Sequence, residues 1–287
     1  MKRWTRSAPC KINLALDILG RREDGYHDMY MVMQTVSLCD RVSVEETGGG
    51  FLLDLEGLTL PDGVKSLEER AAEAFFCRIG KAQPPLRVKL EKVTPAYAGL
   101  GGGSADVAAL LWILREAYAP ELPAEELEAI GFQVGSDMPF CVRGGTALAE
   151  GRGEILTDLA PLPECYILLC KPEFGISTPT LFARFHSVGV GERPDVAGMA
   201  KALKEGDLAG VAARVGNIFE QLLPEECGEV FVIKKLMMEY GALNAAMSGS
   251  GPTVFGIFAD EEAARNAERA LKQDYPETFL TRPVKKF

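Results

Sequence analysis

Residues 95–109 read Pro-Ala-Tyr-Ala-Gly-Leu-Gly-Gly-Gly-Ser-Ala-Asp-Val-Ala-Ala, a glycine-rich loop delivered straight into a helix-forming run. No other stretch constrains the chain so tightly. Gly99, Gly101, Gly102 and Gly103 fall within five positions, and each loses more backbone entropy on ordering than any other residue would, so the loop needs a compensating reason to exist. A bulky anion supplies one, because peptide N–H groups with no Cβ in the way can wrap it. From Val107 onward, Val107, Leu110, Leu111, Leu114 and Tyr118 recur at helical spacing. This predicts a helix over 104–118 with Ser104 as its N-cap, and its unpaired N–H donors and positive dipole end favour phosphate. The plainer alternative, a flexible loop before an amphipathic core helix, leaves the four glycines without a purpose. Two familiar phosphate motifs are excluded. A dinucleotide fingerprint needs glycine where Ser104 stands, and a Walker loop needs Gly-Lys-Ser/Thr whereas Gly80-Lys81 is followed by Ala82.

The chain alternates strand and helix patterns without repeats. Alternation predicts a strand over 10–19, with Ile12, Leu14, Leu16 and Ile18 on one buried face and Lys11, Asn13 and Asp17 on a polar one. Further strands are expected over 42–44, 51–55, 86–90, 166–170 and 253–258, and helices over 67–79 and 124–132 and around Thr180, Val196, Leu208, Val230 and Ala263. A polar, glycine-bearing stretch over 150–154 marks a soft domain boundary, giving domains 1–153 and 154–287. The formal charge of −10 argues against nucleic acid or an acidic membrane as partner. The longest uncharged stretch, 240–259, holds four glycines, two serines and Pro252, which is no membrane span. Seven cysteines without a Cys-x-x-Cys pair, and two histidines, His27 and His186, suggest neither a disulfide framework nor a structural zinc site, so a reducing cytoplasm is expected.

Three more segments carry chemistry. Lys11 and Asn13 share a strand face about 7 Å apart by strand rise, so both could reach one ligand; taken alone, they read better as solvent-facing polar residues of an edge strand. Ser248-Gly249-Ser250-Gly251-Pro252 precedes the 253–258 strand, and such a turn either adds backbone donors to a phosphate site or simply reverses the chain. Asp137 in Gly135-Ser136-Asp137-Met138-Pro139 reads as a helix cap, a metal ligand or a general base, and the local sequence favours the cap.

Their occurrence together, in this order, resembles the GHMP kinase superfamily. The resemblance rests on Ala8-Pro9-Cys10-Lys11-Ile12-Asn13-Leu14, Asp24-Gly25-Tyr26-His27, the glycine loop, Gly135 to Phe140, Ile176-Ser177-Thr178-Pro179 and the Ser248 to Pro252 turn. It implies an α+β fold of two domains, a ribosomal-protein-S5-like N-terminal domain with a left-handed β-α-β crossover and an α/β C-terminal domain, with the active site in the cleft between them. Within the superfamily, the Lys11-Ile12-Asn13, Asp24-Gly25-Tyr26-His27 and Ile176 to Pro179 segments are similar to the branch that phosphorylates the 2-hydroxyl of a methylerythritol unit carrying cytidine diphosphate, in the non-mevalonate route to isoprenoids.

That resemblance implies roles. Pro95, Gly99, Leu100, Gly101, Gly102, Gly103 and Ser104 would wrap the phosphates of ATP, with the Ser248, Gly249, Ser250 and Gly251 turn lining the same site. Asp137 would accept the proton of the attacking hydroxyl, and Lys11 would keep that aspartate ionised. Tyr26 and Phe182 would sandwich the cytosine while His27 reads its edge, a place where the residues alone would allow a plain surface-turn histidine. Asn13 and Thr178 would hold the methylerythritol end. Mg²⁺ is expected with ATP; superfamily members often bind it through the loop serine, present here as Ser104, and a separate acid, and the ligands in this chain stay unassigned. The partner is a small molecule, with neither nucleic acid nor membrane, and the protein a monomer or weak homodimer. Ser66-Leu67 stands where the family usually has Asn-Leu beside the adenine, and Thr94 where an aliphatic residue is usual. Two rivals remain: a relative acting on another alcohol, such as homoserine or a mevalonate derivative, and a retired member that binds nucleotide as a sensor.

Overall fold

Two long strands organise the chain. In the computed structural model, which describes residues 2–55 and 64–286, β1 (Arg3–Arg21) and β2 (His27–Glu46) are hydrogen-bonded neighbours. The turn between them is closed by Arg22 N–H donating to the Tyr26 carbonyl at 2.8 Å, with Gly25 in the left-handed region at φ 86°. The chain divides into two compact units that share these strands: residues 1–10, 39–94 and 101–143 form the first, and 11–38, 95–100 and 144–287 the second.

In the first unit the end of β2 pairs antiparallel with β4 (Leu86–Glu91), Val42 opposite Leu90, and β4 pairs parallel with β3 (Phe51–Leu55), Leu53 opposite Val88. The expected alternation in β4 is present: Leu86, Val88 and Leu90 are buried while Arg87 and Lys89 are exposed. A parallel pair needs a crossover, and α1 (Leu67–Arg78) provides it between β3 and β4. Ser66, an N-cap with extended backbone, accepts a hydrogen bond from Glu69 N–H at 3.0 Å. Then follow α2 (Gly102–Tyr118), α3 (Ala124–Val134) and α4 (Met138–Arg143). Phe75, Val107, Leu110, Leu111, Leu114, Leu127 and Ile130 fill the core between these helices and the sheet. Helices α3 and α4 approach so closely that a Cβ on Gly131 would stand 3.0 Å from Met138 Cβ.

In the second unit the first part of β2 pairs antiparallel with β5 (Thr146–Gly151), which pairs with β6 (Ile155–Asp158), while β1 pairs parallel with the two-residue β8 (Gly216–Asn217). A separate antiparallel sheet runs in the order β11 (Thr278–Thr281), β7 (Tyr166–Cys170), β10 (Val254–Phe258), β9 (Asn244–Met247). Helices α8 (Glu229–Glu239) and α9 (Glu261–Leu271) pack on this sheet, and α5 (Thr178–Val188), α6 (Val196–Glu205) and α7 (Leu208–Ala212) complete the unit. Strand β10 is buried on both faces.

Two expectations are corrected. Strand β1 is not an edge strand with one wet face: it lies between β2 and β8, and every residue from Cys10 to Ile18 is buried. Its polar side points inward, and Asp17 there accepts two contacts from Arg193 Nη1 at 2.9 and 3.0 Å. Strand β2 is far longer than the 42–44 segment, because Gln34, Ser37 and Asp40 break its apolar pattern yet find partners. Gln34, for instance, donates to the Thr35 and Val284 carbonyls at 2.7 and 3.0 Å and accepts from Thr146 at 2.6 Å.

Candidate active site

Burial of Lys11 and Asn13 is the starting point. They are 4% and 1% exposed, and a buried ammonium is stabilised only where partners replace its water. Lys11 Nζ donates to Asn13 Oδ1 at 2.8 Å, and Asn13 Nδ2 lies 3.3 Å from Met31 Sδ. The backbone of the same strand holds the glycine loop: Lys11 N–H donates to the Leu100 carbonyl at 2.9 Å. Asn13 N–H donates to Ser248 Oγ at 3.3 Å, and that hydroxyl donates to the Gly99 carbonyl at 3.0 Å.

The loop and the Ser/Gly turn therefore meet directly at Lys11 and Asn13, and glycine is what lets them. Gly99 sits at φ 74°, and a Cβ there would lie 2.1 Å from the Ser248 carbonyl oxygen. A Cβ on Gly249 would lie 3.3 Å from Lys11 Nζ and 3.4 Å from Asn13 Oδ1. Asn217, absent from the sequence reading, locks the turn by donating to the carbonyls of Met247 and Gly249, both at 2.7 Å. No motif flags it; it is a lone asparagine in a two-residue strand.

The turn also reaches residues expected at the substrate end. Ser250 accepts a 2.7 Å hydrogen bond from Thr178, the first residue of α5. One turn further along α5, Phe182 stacks on His27 with ring centroids 4.2 Å apart at 15° and meets Phe219 edge-on at 5.1 Å. His27 Nε2 lies 2.8 Å from His186 Nε2. Burial, then His186, then Arg21 hold the His27 imidazole below its ordinary proton affinity. Tyr26 is 51% exposed, and the Arg152 guanidinium lies 3.5 Å from its ring centroid. His27 rather than Tyr26 is thus the ring against Phe182.

The helix end of the loop belongs to the first unit. Here Ser104 is not the N-cap: α2 begins at Gly102, and Gly101, left-handed at φ 65°, caps it without a side-chain hydrogen bond. A capping hydroxyl would occupy the donors a phosphate needs, so a glycine cap leaves the first N–H groups of the helix for a ligand. Gly103 is exposed, with only Leu67 Cδ1 at 3.7 Å from where its Cβ would be. Gly102 is tighter, its Cβ position 3.0 Å from Thr94 Cγ2 and 3.5 Å from Lys92 Nζ. These positions form a cradle that side chains would fill, which suits a nucleotide phosphate. Tyr97, at the loop tip, is 91% exposed with φ 52°.

Beneath α2 is a charge cluster that sequence reasoning missed. Lys92 Nζ pairs with Asp40 and, at 2.5 Å, with Asp106. Asp40 also accepts from the N–H groups of Val93 and Thr94 at 2.5 and 2.7 Å. Burial pushes the Asp106 carboxyl up to about 7 against the pull of Lys92, and its Oδ1 is buried without a hydrogen-bond partner. Asp137 lies in the turn between α3 and α4, its carbonyl accepting from Cys141 N–H at 3.2 Å, so it occupies the position before the α4 helix that the sequence indicated.

Comparison with known proteins fits this geometry. The GHMP kinases N terminal domain matches residues 66–145, and the GHMP kinases C terminal domain matches residues 199–277. The chain belongs to the GHMP kinase family. Its relatives include the 4-diphosphocytidyl-2-C-methyl-D-erythritol kinases of Pelotomaculum thermopropionicum, 43% identical over 97% of both chains, and Moorella thermoacetica, 42% identical over 96% of both. A crystal structure of 4-(cytidine 5'-diphospho)-2C-methyl-D-erythritol kinase matches with a TM-score of 0.81 and 31% identity, covering 98% of this chain and 99% of that one. Homoserine kinase from Cytophaga hutchinsonii shares the fold at a TM-score of 0.77 with 16% identity, covering 100% of this chain and 96% of that one.

Proposed function

We propose that this protein transfers the γ-phosphoryl group of ATP to the 2-hydroxyl of 4-diphosphocytidyl-2-C-methyl-D-erythritol, in the methylerythritol phosphate pathway to isoprenoids. The observation that carries the reading is the buried Lys11–Asn13 pair, hydrogen-bonded through Ser248 to the glycine loop while the same turn reaches Thr178 and the aromatic cluster of α5. Full-length relatives at 42–43% identity bear the name of that kinase. The substrate hydroxyl oxygen attacks phosphorus, the bond from phosphorus to the β-phosphate bridging oxygen breaks, ADP leaves, and Asp137 takes the hydroxyl proton. Lys11 stabilises negative charge near the transfer, and Asn13 and Thr178 orient the methylerythritol unit. Pro95 to Ser104 hold the triphosphate, and most of the rate comes from this positioning.

Mg²⁺ would accompany ATP and would neutralise charge on its phosphates. The Ser104 hydroxyl, at the open N-terminus of α2, is the ligand we assign. Among the described residues no group of three His, Cys, Asp or Glu side chains gathers to hold a metal unaided, which suits an ion bound largely through substrate phosphates. Domains 1–153 and 154–287 remain our division along the sequence, with the two family matches, residues 66–145 and 199–277, on either side of 153/154, whereas the compact units interleave across it. We read the protein as a cytoplasmic monomer or weak homodimer; its seven cysteines are free thiols and, among the described residues, no helix is long and apolar enough to cross a membrane.

Phosphorylation of an aliphatic alcohol such as homoserine is disfavoured by Tyr26, His27 and Phe182, which would have no base to stack. The test is ADP release with Mg-ATP and the cytidyl substrate beside Asp137→Ala. Release that requires the cytidyl substrate and collapses in the variant is expected. Release with homoserine or mevalonate in its place, or bound nucleotide without turnover, would overturn the assignment.

A further inference from the structure

The two aromatic surfaces assigned to the cytosine are both covered by the chain's own planar groups. The Arg152 guanidinium lies over Tyr26 at 3.5 Å, and the His27 imidazole lies over Phe182 at 4.2 Å and 15°. At that separation the two rings are in contact and no third ring fits between them. His27 is further held by His186, one helical turn beyond Phe182 on α5, with their Nε2 atoms 2.8 Å apart and their rings 5.0 Å apart at 30°. Phe185 closes the edge of His27 at 6.2 Å and 89°. Two imidazole nitrogens at hydrogen-bond distance share one proton, one donating and the other accepting. His27 is therefore fixed in orientation by a residue that the base-binding motif does not contain.

We propose that His186 gates the base end of the substrate site: by latching His27 across Phe182 it keeps the stacking place filled until a pyrimidine displaces it. This rests on the cytidine reading given above. Binding exchanges one stack for another, so the empty slot never exposes the Phe182 face to water, and the latch subtracts its own strength from the affinity for the base. His186 meets His27 and Phe185 and lies outside the residues assigned to the phosphates and the reacting hydroxyl, so its effect falls on binding of one substrate and leaves the chemical step alone. The groups that act on the His27 charge are His186 from α5 and Arg21 from the end of β1, both opposing a second proton.

The probe is cytidine 5'-diphosphate, titrated calorimetrically into the wild-type protein, His186→Ala and His186→Gln, with Tyr26→Ala and Phe182→Ala as controls on the base site. Loss of one exposed hydrogen bond is expected to tighten the diphosphate about threefold in His186→Ala. KM for the cytidyl substrate should fall by the same factor, with kcat and KM for ATP unchanged, and His186→Gln, which keeps a hydrogen-bonding amide, should resemble wild type. In imidazole NMR spectra of the ligand-free protein, the His27 signals should be displaced by the Phe182 ring current and move back on adding the diphosphate. Weaker or unchanged binding in His186→Ala, or His27 signals free of that ring current, would overturn the gate. Should Tyr26→Ala and Phe182→Ala also leave the diphosphate affinity unchanged, the base-site reading itself fails, and the gate with it.

Discussion

Gly99→Ala tests the contact that joins the glycine loop to the Ser/Gly turn. The added methyl would stand 2.1 Å from the Ser248 carbonyl oxygen and 2.9 Å from the Gly251 nitrogen, both backbone atoms that cannot swing aside. A left-handed residue other than glycine already costs about 1–2 kcal/mol. Moving the loop off Ser248 weakens two further links, Ser248 Oγ to the Gly99 carbonyl at 3.0 Å and Lys11 N–H to the Leu100 carbonyl at 2.9 Å. At about 1 kcal/mol per hydrogen bond, the sum is about 3–4 kcal/mol. Thermal melting followed by circular dichroism should then show Tm lowered by about 5 °C or more. Gly103→Ala is the matched control, since its Cβ would meet only Leu67 Cδ1 at an ordinary 3.7 Å and alanine is favoured over glycine within a helix by about 1 kcal/mol. That variant should keep or raise Tm while its KM for ATP rises, because the methyl intrudes on the exposed phosphate face. A Gly99→Ala protein melting within about 1 °C of wild type would refute the argument that backbone approach is what requires glycine there.

Tyr26→Ala should raise KM for the cytidyl substrate far more than KM for ATP in steady-state assays; equal effects would contradict the stacking role. Ser66→Ala removes the α1 cap to Glu69 N–H and should lower stability by about 1 kcal/mol in urea melts, with a smaller loss indicating that water replaces the cap. The Asp106 carboxyl, raised by burial to about 7, lies above the unfolded value of about 3.9. Between those limits the folded state binds the extra proton, so acidification from pH 7 toward 4 adds stability through this group. In Asp106→Asn that contribution should vanish, so the difference between urea midpoints at pH 5 and 7.5 should change; an identical pH slope in both proteins would reject the assignment.

Patterns that depend only on neighbours along the chain were legible. The alternation of Leu86, Val88 and Leu90 appears in the structure with its predicted faces, and the helix through Val107 to Tyr118 and the strand 51–55 are present where expected. So was the glycine loop, because four glycines need an explanation wherever the chain folds. What escaped was set by tertiary pairing. Lys11 and Asn13 look like solvent-facing residues until β8 and the Ser248 turn close over β1, and no local rule reveals that a strand will be covered on both sides. Ser104 reads as a cap because serine usually is one, yet Gly101 takes the left-handed turn one residue before the helix and caps it without a side chain. The Lys92, Asp40 and Asp106 cluster joins three segments far apart in sequence, each unremarkable alone. His186 sits on an exposed stretch of α5 and acquires meaning only from the ring it touches.

The burial of Lys11 also makes it a reporter. Amine-directed acylating reagents react with lysines that reach water, and Lys201 and Lys235, with side chains 76% and 78% exposed, will be modified at once. Lys11, 4% exposed on a strand hydrogen-bonded to neighbours on both sides, is shielded for as long as that part of the fold stays shut. Its labelling rate therefore counts openings of β1 in the second unit, a clock for local unfolding placed at a residue to which we assign a part in the phosphoryl transfer.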